Sequence, residues 1–221
     1  MKKLLVVVLI VAVIFVALDL VARVFVEGQV EASAERELER VAAVDAGVGS
    51  FLFLPFLLAR GEVSRFSLRL SDVVDQQIEL AELDIDVRGI ELDRGSLFDE
   101  SRVRITGVDE VTMTAVIDES SIGRFVEPLG ATLELEPGRV RVSALGRTAE
   151  ADVRFEGRSL VIGAGPIGEV SIPLPSTEVM PCEFEARVAD GQVEMTCTGD
   201  ELPPLVVRAI GSIDLREELG G

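Results

Sequence analysis

Short segments in which apolar and polar side chains alternate fill most of this chain from about residue 63 onward. Leu83, Ile85 and Val87, for example, alternate with Asp84 and Asp86. Because successive side chains of a strand point to opposite faces, each such segment has one dry and one wet face. Turn-forming pairs that end in glycine separate the segments, and no long helical pattern intervenes. The pattern therefore predicts an antiparallel meander that closes into a curved sheet or a partly open barrel.

The segment that precedes the first strand carries a helical pattern instead. An apolar row and an acidic row recur at helical spacing: Val26, Val30, Ala34, Leu38 and Val41, and Glu27, Glu31, Glu35 and Glu39. These rows predict a long amphipathic helix whose apolar row packs against the dry face of the sheet. The predicted fold class is α+β, with the sheet wrapped on this N-terminal helix and a hydrophobic anchor or signal segment before it. Asp118 to Val126 is predicted as a shorter helix, with Ser120 or Ser121 as its cap.

The N-terminal residues predict that the protein is exported. Met1, Lys2 and Lys3 precede the uncharged apolar run Leu4–Leu18. A short basic flank before an apolar run directs the chain out of the cytoplasm, and the lysines favour the cytoplasmic side. The predicted location is the outer face of the cytoplasmic membrane or the periplasmic space.

Two interpretations of the N-terminal segment stay open. With the residues that follow Asp19, the apolar run extends to Val26 and is long enough to span a bilayer as a retained anchor. Alternatively, Ala32, Ser33 and Ala34 form a small-residue cleavage site, although a cut there would split the helical rows. The retained anchor is favoured. We expect residues 1–26 to be the signal anchor or signal peptide, 27–215 a single domain, and 216–221 a flexible tail.

Composition narrows the classes of function. The formal net charge of −18 repels phosphate backbones, so the sequence predicts no nucleic-acid binding and no broad adhesion to anionic headgroups. The chain contains no histidine, which removes the commonest general base and the commonest metal ligand. No arrangement of nucleophile, base and orienting group is visible either. We therefore expect no catalytic residue, no metal site and no cofactor.

The two cysteines, Cys182 and Cys197, are predicted to form a disulfide. An even cysteine count in an exported protein favours a bond. The segments that carry them alternate on either side of Asp190-Gly191, which is a strong hairpin signal. If Ala189 faces Gln192, the two cysteines share one face, one diagonal step apart. Two buried free thiols are the alternative.

A glycine pattern at Gly163, Gly165 and Gly168 imitates a dinucleotide-binding motif. That motif requires a helix after its last glycine, because the helix N-terminus holds the pyrophosphate. The residues that follow alternate and include Pro173 and Pro175, which a helix does not accommodate. The pattern therefore predicts a glycine-rich loop between strands.

The apolar cluster from Phe51 to Leu58 has two interpretations. It is too short to span a membrane and is bracketed by Gly49 and Gly61. One interpretation is a membrane-touching tip or the mouth of a lipid pocket. The other is a buried segment that closes one end of the sheet.

The order of these features resembles the LmeA family of phospholipid-binding proteins. The resemblance extends from about residue 19 to residue 211. It includes the anchor, the acidic helix, the Phe-rich segment that ends near Arg60-Gly61, Val87-Arg88-Gly89-Ile90, and Met180-Pro181-Cys182. It implies an exported actinobacterial envelope protein with a fold similar to tubular lipid-binding domains, and phospholipid bound in an apolar groove. The implied role is envelope lipid or lipoglycan maintenance. The family's Phe-Pro-Phe pattern is altered here, because Pro55 is displaced from Phe51-Leu52-Phe53.

The leading hypothesis is a noncatalytic envelope protein that holds phospholipid acyl chains between the helix and the dry sheet face. Its partners would be phospholipid and, through the N-terminal segment, the membrane. The alternative is a membrane-tethered scaffold whose acidic face binds an envelope enzyme without lipid. The predicted lipid-binding residues are Phe51, Phe53, Phe56, Leu57, Phe66, Leu68, Leu70, Leu83, Ile85, Val87, Val111 and Met113.

Overall fold

The computed structural model describes residues 16–32, 41–49, 53–75, 77–96, 103–163 and 168–211. The first helix is described over residues 16–32 and is named α1. The other elements are β1 (Ala43–Val48), α2 (Phe53–Arg60), β2 (Glu62–Asp75), β3 (Ile78–Leu92), β4 (Ile105–Gly107), β5 (Glu110–Asp118), α3 (Glu119–Val126), β6 (Ala131–Glu136), β7 (Arg139–Ala144), β8 (Arg147–Glu156), β9 (Ser159–Gly163), β10 (Glu169–Pro173), β11 (Glu185–Ala189), β12 (Gln192–Gly199) and α4 (Pro204–Gly211).

Two antiparallel sheets form the body of the molecule. Sheet 1 has the order β1-β2-β3-β5-β12-β11, with β4 paired to β3, and sheet 2 has the order β10-β9-β8-β7-β6. The backbone links them where Gly138 N donates to Val188 O at 3.0 Å and Gly191 N donates to Leu135 O at 3.1 Å. The antiparallel sheet is curled into a half-barrel. The predicted α+β fold with an N-terminal helix and a curved antiparallel sheet is therefore confirmed.

The alternation seen in the sequence produces the dry face of sheet 1. Rows of apolar side chains run across neighbouring strands: Phe66-Val87-Val111, Leu68-Ile85-Met113 and Leu70-Leu83-Ala115. These side chains are at most 4% exposed. They belong to one hydrophobic core that also includes residues of sheet 2, α1, α3 and α4. Burial of this face is the main favourable contribution to folding.

Helix α1 covers the outer edge of β1. Val30 is 5% exposed in the core, and Val26 and Ala22, which lie four and eight residues earlier, are half-buried against it. Glu27 Oε1 accepts a hydrogen bond from Val48 N at 2.8 Å, and Glu31 Oε1 accepts one from Ala46 N at 3.1 Å. The part of the acidic row that the structure describes thus satisfies amides that an edge strand would otherwise leave unpaired.

The described part of α1 passes through residues 26 and 27, the predicted domain boundary, without a break. Residues 1–15, which contain most of the predicted anchor, lie outside the described residues, as do 33–40, which contain the rest of the amphipathic rows, and 212–221. Within the described ranges, no helix has both the length and the apolar composition needed to cross a membrane. The domain limits stay a prediction.

The disulfide between Cys182 and Cys197 is present, with their Cα atoms 5.9 Å apart. Ala189 pairs with Gln192, as the hairpin signal predicted. The bond joins the loop that follows β10 to β12. Arg158 anchors the same loop, because its guanidinium donates to Pro175 O at 2.8 Å and also to Met180 O. Burial lowers the pKa of Arg158 from its ordinary value.

Two local predictions have clear outcomes. The short helix is confirmed as α3, but its N-cap is Asp118, so the assignment of the cap to Ser120 or Ser121 is wrong. Asp118 makes no side-chain capping hydrogen bond, and Ser121 is buried within the helix, where its hydroxyl accepts from Arg124. After the glycine pattern, strand β10 begins at Glu169, which confirms that no helix opens there.

Glu27→Ala combined with Glu31→Ala should destabilise the protein. Each change leaves an amide of β1 without its acceptor, at a cost of about 1–3 kcal/mol per unsatisfied group. Urea unfolding measures the loss, and hydrogen exchange at Ala46 and Val48 locates it. The Gln variants keep an acceptor oxygen and serve as matched controls. Equal unfolding free energies for the Ala and Gln pairs would show that α1 is not held by these bonds.

Reduction of the disulfide should lower the free energy of unfolding. The bond joins residues 15 apart, and closing a loop of that size in the unfolded chain stabilises by about 3 kcal/mol on the chain-entropy model. Urea unfolding with and without a thiol reductant measures the difference, with Cys182→Ala/Cys197→Ala as the control for reductant effects. An unchanged midpoint would contradict a stabilising role.

Candidate functional site

Eight of the predicted lipid-binding residues lie together on the dry face of sheet 1. They come from three adjacent strands and are 0–4% exposed: Phe66, Leu68, Leu70, Leu83, Ile85, Val87, Val111 and Met113. Cross-strand register makes them one continuous apolar surface. These side chains are part of the hydrophobic core. Their role as lipid contacts stays a prediction.

Helix α2 contacts β2 and closes one end of this face. That end is where β2 begins at Glu62 and β3 ends at Leu92, and it is named here the α2 end of the sheet. Leu57 is half-buried against the core, whereas Phe56 is 37% exposed. Phe51 lies outside the described residues, and Phe53 lies in α2 with its side chain outside them. The apolar cluster is thus a short helix that touches both the core and solvent.

Gly61 fixes the position of α2 against the sheet. Its φ is +73°, a left-handed conformation that side chains other than glycine rarely adopt. A Cβ at this position would lie 2.8 Å from Leu92 O and 2.8 Å from Arg94 Cγ. Gly61 N donates to Leu57 O at 2.9 Å, and Leu92 N donates to Gly61 O at 2.7 Å. The junction therefore ties the last turn of α2 directly to the end of β3.

The N-terminal half of α1 presents an apolar surface to solvent. Six large apolar side chains are 39–67% exposed: Val16, Leu18, Leu20, Val21, Val24 and Phe25. In contrast, Asp19 is 7% exposed and lies 3.6 Å from Arg23 in an ion pair. The usual arrangement of a surface helix is inverted here, since a charged side chain is buried and large apolar ones are outside.

The hydrogen bonds of Glu27 and Glu31 also give the direction of α1. Glu27 meets Val48 and Glu31 meets Ala46, so α1 runs antiparallel to β1. Eleven residues from Glu27 back to residue 16 correspond to about 16 Å of helix. Val48 pairs with Phe66, which is only about 13 Å along β2 from Glu62. The exposed apolar half of α1 therefore extends toward the α2 end of the sheet.

The wet face of sheet 1 is polar and internally paired. It contains a groove of ≈ 480 Å³ lined by residues that include Ser67, Arg69, Asp84 and Thr112. Arg69 donates to Asp84 at 2.7 Å. A hydrogen bond from Arg65 lowers the pKa of the Asp86 carboxyl. A hydrogen bond with Asp84 has the opposite effect on the Glu82 carboxyl and raises its pKa. Such exposed pairs contribute little stability each.

Metal ligation finds no support on this face or elsewhere in the described ranges, since no three His, Cys, Asp or Glu side chains there are grouped to hold an ion. Two described surfaces of this region differ in their chemistry. One is the apolar surface at the α2 end, and the other is the set of ion pairs on the wet face of sheet 1. Of these two, the apolar surface offers a place for a hydrocarbon chain.

A family model described as LmeA-like phospholipid-binding matches residues 17–214. The chain belongs to this family. The match begins in α1 and extends past α4, so it includes both sheets and the α2 end. Comparisons with curated proteins and with solved structures gave no match. The resemblance drawn from the sequence is confirmed, and membership of the LmeA-like family supports lipid binding as the function of this fold.

The sequence interpretation missed the contacts that organise this site. It identified the acidic row of α1 but assigned no role to Glu27 and Glu31. It identified the apolar cluster but not the close approach of Arg94 to Gly61. The glycine after an apolar segment was the available signal, because a left-handed helix end favours glycine. The partner across that junction is 33 residues later in the chain and has no local signal.

Gly61→Ala should loosen α2 more than it destabilises the rest of this LmeA-like protein. The substitution adds left-handed strain of about 1–2 kcal/mol and a collision worth about 1–3 kcal/mol with Leu92 and Arg94. Gly146→Ala is a matched control, because Gly146 has a φ of +72° and open space around its Cβ position. In both variants, hydrogen exchange measures the loosening of α2 and urea unfolding measures the loss of overall stability. Equal losses in the two variants would show that the junction does not hold α2.

Proposed function

We propose that this LmeA-like protein is a noncatalytic phospholipid-binding protein of the bacterial cell envelope. In this proposal acyl chains lie in an apolar groove between the helices and the dry face of sheet 1. The observation that carries it is the family match over residues 17–214. The continuous apolar rows across β2, β3 and β5 supply the surface on which a chain of methylenes would lie.

Access would come from the α2 end. The dry face is filled by protein side chains, so a lipid must displace part of its cover. Strands are held to their neighbours by ladders of backbone hydrogen bonds. Helix α2 is held by the Gly61 junction and by apolar contacts such as that of Leu57. Displacement of α2 breaks no strand ladder, so α2 is the element that would move.

The membrane would lie at the same end. The exposed apolar half of α1 continues in sequence from the apolar run that begins at Leu4, and it extends toward α2. A bilayer would cover these side chains, whose exposure to water is unfavourable. We therefore propose that the N-terminal segment tethers the exported protein so that α2 faces the lipids. Support of envelope lipid or lipoglycan maintenance would follow from such an arrangement.

A membrane-tethered scaffold that binds an envelope enzyme through an acidic face is the second candidate. The net charge of −18 favours it. On the wet face of sheet 1, however, arginines pair with many of the carboxylates, as Arg65 does with Asp86 and Arg88 with Glu110. This pairing reduces the acidic field available to a partner. The scaffold predicts partner capture that weakens with salt and no bound lipid.

Phe56→Asp should abolish retention of phospholipid. The side chain is 37% exposed on α2, so a charge there is compatible with folding but opposes an apolar passage. The full chain is first incubated with phospholipid vesicles. Native mass spectrometry of the protein released from detergent then measures the bound lipid. Leu129→Asp is the control. It adds the same charge at a leucine that is 54% exposed in the turn after α3.

Wild type and the Leu129 variant should each retain phospholipid, and the Phe56 variant should retain none. Absence of retained lipid in the wild type would contradict the proposed function. Equal retention in all three proteins would contradict the route under α2 but would still support lipid binding.

A further inference from the structure

We propose that Arg60 and Arg94 form a phosphate-recognition site at the junction of α2 and β2, which holds the headgroup of the lipid whose chains pass under α2. This inference rests on the proposed function and adds the chemistry of the ligand. The ligand class is a phosphomonoester or phosphodiester, because a guanidinium recognises phosphate oxygens through paired N–H groups.

The first observation is the environment of Arg60. Its guanidinium lies 5.6 Å from the centre of the Phe56 ring, and among the described carboxylates it pairs with Glu62 at 3.8 Å. Other arginines are paired more closely, since Arg69 of β2 and Arg124 of α3 each lie 2.7 Å from a carboxylate. Arg60 is thus held against the apolar surface of α2 with its N–H groups incompletely used, and its side chain is 65% exposed.

The second observation is the position of Arg94. Its Cγ lies 2.8 Å from the point where a Cβ of Gly61 would be, so its stem packs directly beside the backbone that follows Arg60. The side chain is exposed, and none of the described carboxylates forms an ion pair with it. The neighbouring Asp93 is engaged within its own turn, where it accepts from Gly95 N at 3.0 Å and Ser96 Oγ at 2.6 Å.

The location of these two arginines suits a headgroup site. They stand at the end of α2, where an apolar surface meets solvent, and this is the boundary between the chains and the headgroup of a bound phospholipid. The protein as a whole is strongly acidic, which excludes general attraction of anions. A local pair of guanidiniums can nevertheless select a phosphate that the apolar groove has already brought into place.

The test compares two lipids that share acyl chains and differ in phosphate. Full-length protein is incubated with vesicles that contain equal amounts of phosphatidylglycerol and diacylglycerol, and native mass spectrometry measures which lipid is retained. Wild type should prefer the phospholipid by roughly tenfold or more, as expected for charge-assisted hydrogen bonds. Arg60→Gln combined with Arg94→Gln should retain as much total lipid but with a preference close to one.

Arg154→Gln is the matched control. Arg154 lies on sheet 2 and is paired with Glu169 at 2.8 Å, so its loss should leave the preference unchanged. An unchanged preference in the double variant, or a wild type that retains both lipids equally, would overturn the headgroup site and leave the proposed function standing. A wild type that retains neither lipid would overturn both.

Inorganic phosphate distinguishes a lipid headgroup from a free anion. Calorimetric titration of the full chain with inorganic phosphate alone should give no binding step, because two exposed arginines need the apolar contacts of the lipid to hold a phosphate. A binding step that disappears in the double variant would assign the site to free phosphate and overturn the headgroup assignment.

Discussion

Two hydrogen bonds between the carboxylates of α1 and the amides of β1 determine how the rest of this molecule is arranged. Glu27 and Glu31 meet Val48 and Ala46, and these contacts close the open edge of sheet 1 and fix the direction of the helix. Carboxylates are suited to this position, since they accept hydrogen bonds without offering a donor that would attract another strand. Because Val30 lies between them in the core, the same helix joins the edge of the sheet to its apolar interior.

The two ends of sheet 1 differ because α1 is attached to β1 in this direction. At the α2 end, α1 presents exposed apolar side chains, and α2 packs on the core through Leu57. Gly61 joins the last turn of α2 to the end of β3 through backbone hydrogen bonds. At the other end, backbone hydrogen bonds join the sheets near Gly138 and Gly191, and Arg124 of α3 pairs with Glu79. The α2 end therefore combines apolar contacts with the local hydrogen bonds at Gly61, whereas the other end is held by hydrogen bonds between the two sheets and by an ion pair. This difference is the physical basis for the proposed entry of lipid at α2.

Period-two alternation was sufficient to predict the strands from β2 onward that line the core, because a buried face needs apolar side chains at every second residue. Strand β1 was not predicted, since it lies before the region where that alternation begins. The hairpin at Asp190-Gly191 allowed the Cys182–Cys197 bond to be predicted for a similar reason, since a two-residue turn sets the register. The helix of Phe53–Arg60 could not be predicted, because eight nearly uniform apolar residues carry no period. The proximity of Arg94 to Gly61 and the bonds of Glu27 and Glu31 depend on contacts distant in sequence, for which no local pattern exists.

The central claim is that acyl chains reach the dry face of sheet 1 beneath α2. The most direct measurement uses a phospholipid with a photoactivatable diazirine near the end of one acyl chain, incorporated into vesicles with the full-length protein. After irradiation, peptide mapping locates the labelled residues. The account predicts labels on β2 and β3 between Phe66 and Leu70 and between Leu83 and Val87, in addition to α2. Labels confined to α1, with none on either strand, would contradict it.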